Sequence, residues 1–183
     1  MRLLMLALIG VLSAGSGIAA AEDEVYTAKM VRTKGLTTEN VHVDLRIRQR
    51  ATQEQADALR KILAEEGSDA LKTALLKGDF GQARVTGGHP RRVVWARVYP
   101  GQNGSSIMIV TDRPIYFPSD DLEEKPASTE DALGVLTLEI NDRGVGRGRL
   151  AEAVAVHITD DGVLQIQSPR PDTVEIEDVR REQ

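Results

Sequence analysis

From Val41 to Arg48 apolar and polar residues alternate with period two. Val41, Val43, Leu45 and Ile47 take one set of positions; His42, Asp44, Arg46 and Arg48 take the other. This is the pattern of a half-buried strand, with one row turned to a core and the other to water. Tyr26–Arg32 reads as a second strand, and Thr33–Asn40, with Gly35, as the hairpin connection. Then the period changes. Thr52-Gln53-Glu54-Gln55 fits a capping box, in which the Thr52 hydroxyl accepts from the third helical amide and Gln55 reaches back. Ala56, Leu59, Ile62 and Leu63 follow at helical spacing, and Gly67 can close the helix in a left-handed conformation. Ser68 is placed to cap a second short helix carrying Leu71, Ala74 and Leu75, which Gly78 stops. The product is a helical hairpin over residues 52–77 whose apolar stripe must lie on a sheet.

Strand patterns then dominate: Gln82–Thr86, Val93–Tyr99, Ser106–Thr111, Leu133–Asn141, Arg147–Ile158, Val163–Gln167 and Thr173–Val179. Leu150–Val156 is alanine-rich, but its even positions are mostly apolar, so it is assigned to a strand. Short turn signals at Pro100–Gly104, Asn141–Gly144 and Asp160–Gly162 join sequential strands, which makes them antiparallel neighbours. Pro118–Asp131 breaks the pattern with six acids and two prolines, and reads as a long mobile surface loop. The predicted fold is therefore α+β: a curved antiparallel β-meander, able to close in part like a barrel, with a two-helix hairpin between strands 2 and 3.

Composition adds an address. Met1–Ala21 has a basic start, the apolar run Leu3–Leu12, and Ala19-Ala20-Ala21 before an acidic stretch, which together predict a cleaved signal peptide. Residues 22–183 then form one β-rich domain, of a size that buries a real core. The chain has no cysteine, so neither a disulfide framework nor a lipid-bearing cysteine is available. The arginine bias over lysine, 17 to 6, fits a GC-rich bacterial genome. The expected location is periplasmic or secreted, with no membrane span after signal cleavage. A formal net charge of −5 and only one tryptophan, three tyrosines and two phenylalanines argue against nucleic acid as a partner.

Candidate chemistry is sparse. In Ile107–Pro118 a strand runs into Thr111-Asp112-Arg113-Pro114, and Pro114 interrupts the ladder. A two-residue Asn103-Gly104 turn would make Arg97 and Asp112 diagonal neighbours; a turn spanning Gly101–Gly104 would separate them. Asp112 and Arg113 are site candidates at a strand end, or else Asp112 is a structural acceptor that ties the corner down. The polar row His42, Asp44, Arg46 and Arg48 is a second candidate, since arginine forks match carboxylates and phosphates. His42 and Asp44 could reach one cation, but no metal motif supports them and two arginines continue the row. Glycines at 144, 146 and 148 lack the phosphate-loop pattern and suit a bent strand under close packing.

Three stretches, Leu45–Val85, Val110–Phe117 with its T-D-R-P-I corner, and Thr137–Leu150 with D-x-G-x-G-x-G-x-L, resemble an uncharacterised family of bacterial secreted proteins. The chain departs from that family at the acidic loop, where members more often carry an aromatic, basic connection. The resemblance implies the fold and the exported address; it brings no activity, cofactor or catalytic residue. The leading expectation is a non-enzymatic, exported binding or envelope-associated protein, using a sheet face or barrel mouth for an unknown small molecule or envelope protein. Ligand contacts are expected among His42, Asp44, Arg46, Arg48, Arg97, Asp112 and Arg113, with no cofactor and no metal. The alternative is an exported hydrolase whose acids, such as Asp112 or Glu139 beside His157, come together from separated strands.

Overall fold

The computed structural model describes residues 23–121, 133–158, 164–167 and 174–182, of which 34, 120–121, 152–158 and 164–167 are described by backbone alone. The expected signal segment Met1–Ala21 and most of the acidic loop lie outside these residues. The elements run β1 (Glu24–Lys34), β2 (Thr37–Ile47), α1 (Gln53–Glu66), α2 (Ser68–Leu75), β3 (Gly81–Val85), β4 (Arg91–Gly101), β5 (Gly104–Thr111), the single turn α3 (Pro118–Asp121), β6 (Leu133–Asn141), β7 (Val145–Ile158), β8 (Leu164–Gln167) and β9 (Val174–Arg181). All nine expected strands and the helical hairpin between strands 2 and 3 are present. Pro118–Asp121 is helical, which corrects the reading of a loop from its first residue.

The sheet is antiparallel throughout and it closes. Strands follow one another from β1 to β6; β6 also pairs with β7, β7 with β9, and β9 with β1. Eight strands thus complete a barrel, and β8 pairs with the outer half of β7. One row of side chains per strand fills the interior: Tyr26, Ala28 and Met30 from β1, Val43, Leu45 and Ile47 from β2, Ile107 and Ile109 from β5, Leu136 and Leu138 from β6, and Leu150, Val174 and Ile176 beyond. Eight strands leave an interior that side chains just fill.

Closure needs β6 and β7 to come very near. Gly146 and Gly148 stand opposite Ile140 and Leu138. A Cβ at Gly146 would lie 1.8 Å from the Glu139 carbonyl oxygen, and one at Gly148 2.4 Å from that of Thr137. The alternate glycines therefore serve close backbone approach.

A second irregularity sits on β9. Its register shifts against both neighbours around Asp178, whose φ of 51° is the one positive value at a non-glycine among the described residues. Asp178 is the extra residue of a β-bulge, a place where a short polar side chain tolerates the left-handed region. Its carboxylate takes a hydrogen bond from Lys29 Nζ at 2.7 Å.

The capping box of α1 forms on both sides: Gln55 N donates to Thr52 Oγ1 at 3.2 Å, and Thr52 N to Gln55 Oε1 at 2.9 Å. Gly67, at φ 86°, ends α1 and also stands as N-cap of α2, so Ser68 is the first helical residue and not the expected cap. Leu63, Leu71 and Leu75 are buried, with Leu59 and Ile62 packed against the same cluster. That cluster includes Phe80 and Trp95, whose rings meet at 5.5 Å. The hairpin is fastened along β4 at both ends. Ala51 N donates to Ala96 O and Arg97 to Gln53 Oε1; Arg92 donates to Leu76 O and Phe80 N to Val93 O. It occupies the edge that β3 leaves, because β3 pairs with β4 only from Arg91 to Val93.

Candidate functional site

The two ends of the barrel differ. At one end the chain leaving β5 folds over the opening. Thr111 Oγ1 donates to Arg113 O at 2.7 Å, Arg91 Nε to Pro114 O at 3.0 Å, and Ile115, Tyr116 and Phe117 are buried. Arg32, buried at the end of β1, lies over the Phe117 ring at 4.2 Å and donates to Glu39 at 2.8 Å and to Ser119 at 3.4 Å. A guanidinium over an aromatic face, with a carboxylate beside it, makes a firm closure.

The opposite end is open. Residues of β1, the loop after β2, the β6–β7 turn and the end of β9 surround a recess of about 560 Å³. At its base is Glu24, whose side chain is 14% exposed. Its carboxylate accepts the Tyr26 phenol at 2.6 Å and both edges of the Arg50 fork, at 2.7 and 2.8 Å; Arg181 stands 3.7 Å away. Burial alone would raise the Glu24 carboxyl. The hydrogen bonds from Arg50 and Tyr26, with the charges of Arg50 and Arg181, outweigh it and hold the group below the ordinary value. Burial, and next the adjacent Glu24, push the Tyr26 phenol up to about 12. Glu24 is thus a fixed anion that orients two arginines, each about half exposed at the rim.

The rim is held by the chain itself. Asn141 Oδ1 accepts from Arg143 N at 2.9 Å and Val145 N at 3.1 Å, which shapes the β6–β7 turn. Arg181 N donates to Gly144 O at 2.8 Å, so the end of β9 is tied to that turn. Asp23, Asp142, Arg143 and Glu182 also line the recess, with Gly104, Ser105 and Ile140 from β5 and β6.

The residues expected from sequence lie elsewhere and do not converge. His42, Asp44 and Arg46 project from the outer face of β2. His42 Nε2 is 3.1 Å from Asp44, Arg46 is 3.6 Å from Asp23, and Arg48 pairs with Asp79 just beyond the strand. Register places Arg46, Gln82 and Arg92 in one row across β2, β3 and β4, with Asp44 opposite Arg84 in the next. Arg97 stands opposite Met108, over the Tyr99 ring at 5.1 Å, and bonds Gln53.

Asp112 accepts from Arg92 N at 3.1 Å, with its own amide donating to Arg92 O at 3.0 Å. It ties the corner down, and Arg113 is exposed beside it. Of the two registers, the one with a turn spanning Gly101–Gly104 is found: Gly101 pairs with Gly104, Gln102-Asn103 lie at the turn, Arg97 and Asp112 are not neighbours, and a bulge between Val93 and Trp95 shifts the register further.

The acids of the hydrolase reading are also apart. Glu139 is exposed near the open end, opposite Ser106 and 3.6 Å from Arg147. Asp112 is six residues further along β5, about 20 Å at strand rise. The His157 side chain lies outside the described set. Among the described residues no three His, Asp or Glu are grouped to hold a metal ion, and no helix is long and apolar enough to cross a membrane.

Sequence reasoning missed the network at the mouth because Glu24, Tyr26, Arg50 and Arg181 sit in four separate places along the chain. Only Arg50, a cation placed just after a strand and outside its alternation, carried a local signal. Comparison of the chain with protein-family models, with curated proteins and with solved structures finds no match.

Proposed function

We propose that the protein is an exported, non-enzymatic binding protein, periplasmic or secreted, whose ligand enters the open mouth of the barrel. One observation carries this reading. The Glu24 carboxylate, held by hydrogen bonds from Tyr26 and Arg50 and with Arg181 beside it, lines a recess at the barrel mouth. A recess of this volume falls in the range of small-molecule sites, and fixed polar groups at its base supply orientation. Glu24 already accepts three hydrogen bonds from Tyr26 and Arg50, so it suits a positioning role better than proton transfer. The hydrolase reading loses support from the separation of Asp112 and Glu139. The exported address rests on Met1–Ala21 and on the family resemblance.

A melting-shift screen of the purified chain against a small-molecule library tests the reading. Hits are expected to stabilise the wild type and to lose their effect on Arg181→Gln, a change that removes none of the hydrogen bonds on Glu24. Hits that stabilise both proteins equally overturn the mouth as the site.

A further inference from the structure

The recess carries charges of both signs that the fold leaves uncommitted or only loosely paired. Arg50 spends its fork on Glu24, and Asp23 is turned toward Arg46. Four charged side chains remain. Arg181 touches Glu24 only at 3.7 Å, and Arg143, Asp142 and Glu182 make no ion pair among the described residues. Arg143 and Asp142 are adjacent on the β6–β7 turn, whose backbone the Asn141 side chain fixes; Arg181 and Glu182 are adjacent at the end of β9, fastened by Arg181 N to Gly144 O and by Glu182 N to Val25 O. Both segments line the one recess, and each carries one cation and one anion.

A simple anion entering here meets two arginines but also Asp142 and Glu182; a simple cation meets the reverse. Each would leave a like charge desolvated beside it, which is how a site rejects the wrong partner. A polyanion fares worst. A ligand with a carboxylate and an ammonium separated by a short spacer satisfies both sets at once. We propose, resting on the mouth as the binding site, that the ligand is a small zwitterion of the amino-acid or short-peptide class, its carboxylate against Arg181 and Arg143 and its ammonium against Asp142 and Glu182.

The test is calorimetric titration of the purified chain with trialanine, N-acetyl-trialanine, trialanine amide and inorganic phosphate, repeated on Arg181→Gln and on Asp142→Asn. Trialanine is expected to bind, and capping either end to weaken it by about tenfold or more. Arg181→Gln should lower affinity for trialanine while leaving the amide unchanged, and Asp142→Asn should do the same for the N-acetyl form. Phosphate binding more tightly than trialanine, or capped peptides binding as well as the free one, overturns the zwitterion class. So does no heat from trialanine at concentrations on the order of 10 mM. In each of those cases a library hit lost in Arg181→Gln keeps the mouth as the site, whereas its persistence in the variant removes both readings.

Discussion

Arg50 holds Glu24 by both edges of its guanidinium, at 2.7 and 2.8 Å, across 26 residues of sequence and two strands of barrel. The pair fixes the loop after β2 against the start of β1. It also sets the acid limb of stability. Because the folded Glu24 carboxyl sits below its ordinary value, its contribution is full above that value and is lost as pH falls through the lower, folded one. Denaturation midpoints measured down an acid series should fall less steeply for Glu24→Gln than for the wild type, although the variant starts from lower stability at neutral pH.

Tyr26 governs the other limb. Its phenol is raised from 10.0 to about 12, so the contribution is complete below pH 10 and disappears as pH rises through about 12. Tyr26→Phe keeps the buried ring and removes the hydroxyl. It should cost about 1 kcal/mol at neutral pH and flatten the alkaline loss of stability, read by chemical denaturation.

The β6–β7 seam admits no side chain on its inner glycines. Gly146→Ala is expected to cost about 1–3 kcal/mol or to prevent folding, since the atom in the way is a backbone oxygen. Gly101→Ala, where the nearest atom would be 3.4 Å away, is the matched control and should change little. Equal unfolding midpoints for the two variants would contradict the closure described.

At the β9 bulge the backbone, and not the ion pair, is expected to dominate. Asp178→Gly and Asp178→Asn should both be more stable than Asp178→Ala, because only alanine meets the full steric penalty at φ 51°. Unfolding curves that rank alanine with or above glycine would mean that the bulge relaxes.

For the helical hairpin, Leu63→Ala should lower stability by about 2–5 kcal/mol. In double-mutant cycles Arg97→Ala and Gln53→Ala should be coupled, whereas Arg97→Ala and Asp112→Ala should add within about 0.5 kcal/mol.

Local patterns made much of this fold legible. The alternation in β2 and the Thr52–Gln55 box identify their elements correctly because the forces that shape them act within a few residues. Closure depends on β1 meeting β9 and β6 meeting β7, and no short-range pattern encodes such encounters, although the alternate glycines at 146 and 148 mark where one occurs. Register in the β4–β5 hairpin stayed open between two turns for a related reason. Asn103-Gly104 is a strong turn signal, but the turn falls one residue earlier and the bulge at Val94 carries the register one step further in the same direction. The β9 bulge did leave a trace: Val174 and Ile176 are in step, while Val179 changes parity. The site was the least legible part. His42–Arg48 carries the cleaner sequence pattern yet lies on a solvated face, while the mouth is assembled from residues that look ordinary one at a time.

The strip of β4 beyond Val93 has a consequence for the company this protein keeps. Ala96 turns its carbonyl away from β5, so by alternation Val98 and Pro100 present their main-chain groups on that same side. Ala51 occupies the first position, and Pro100 has no amide hydrogen to offer at the last. What remains is a single residue's worth of open edge, too short to recruit a passing strand. Cutting away residues 49–77 would uncover the whole length, and a chain so shortened should aggregate by adding strands edge to edge.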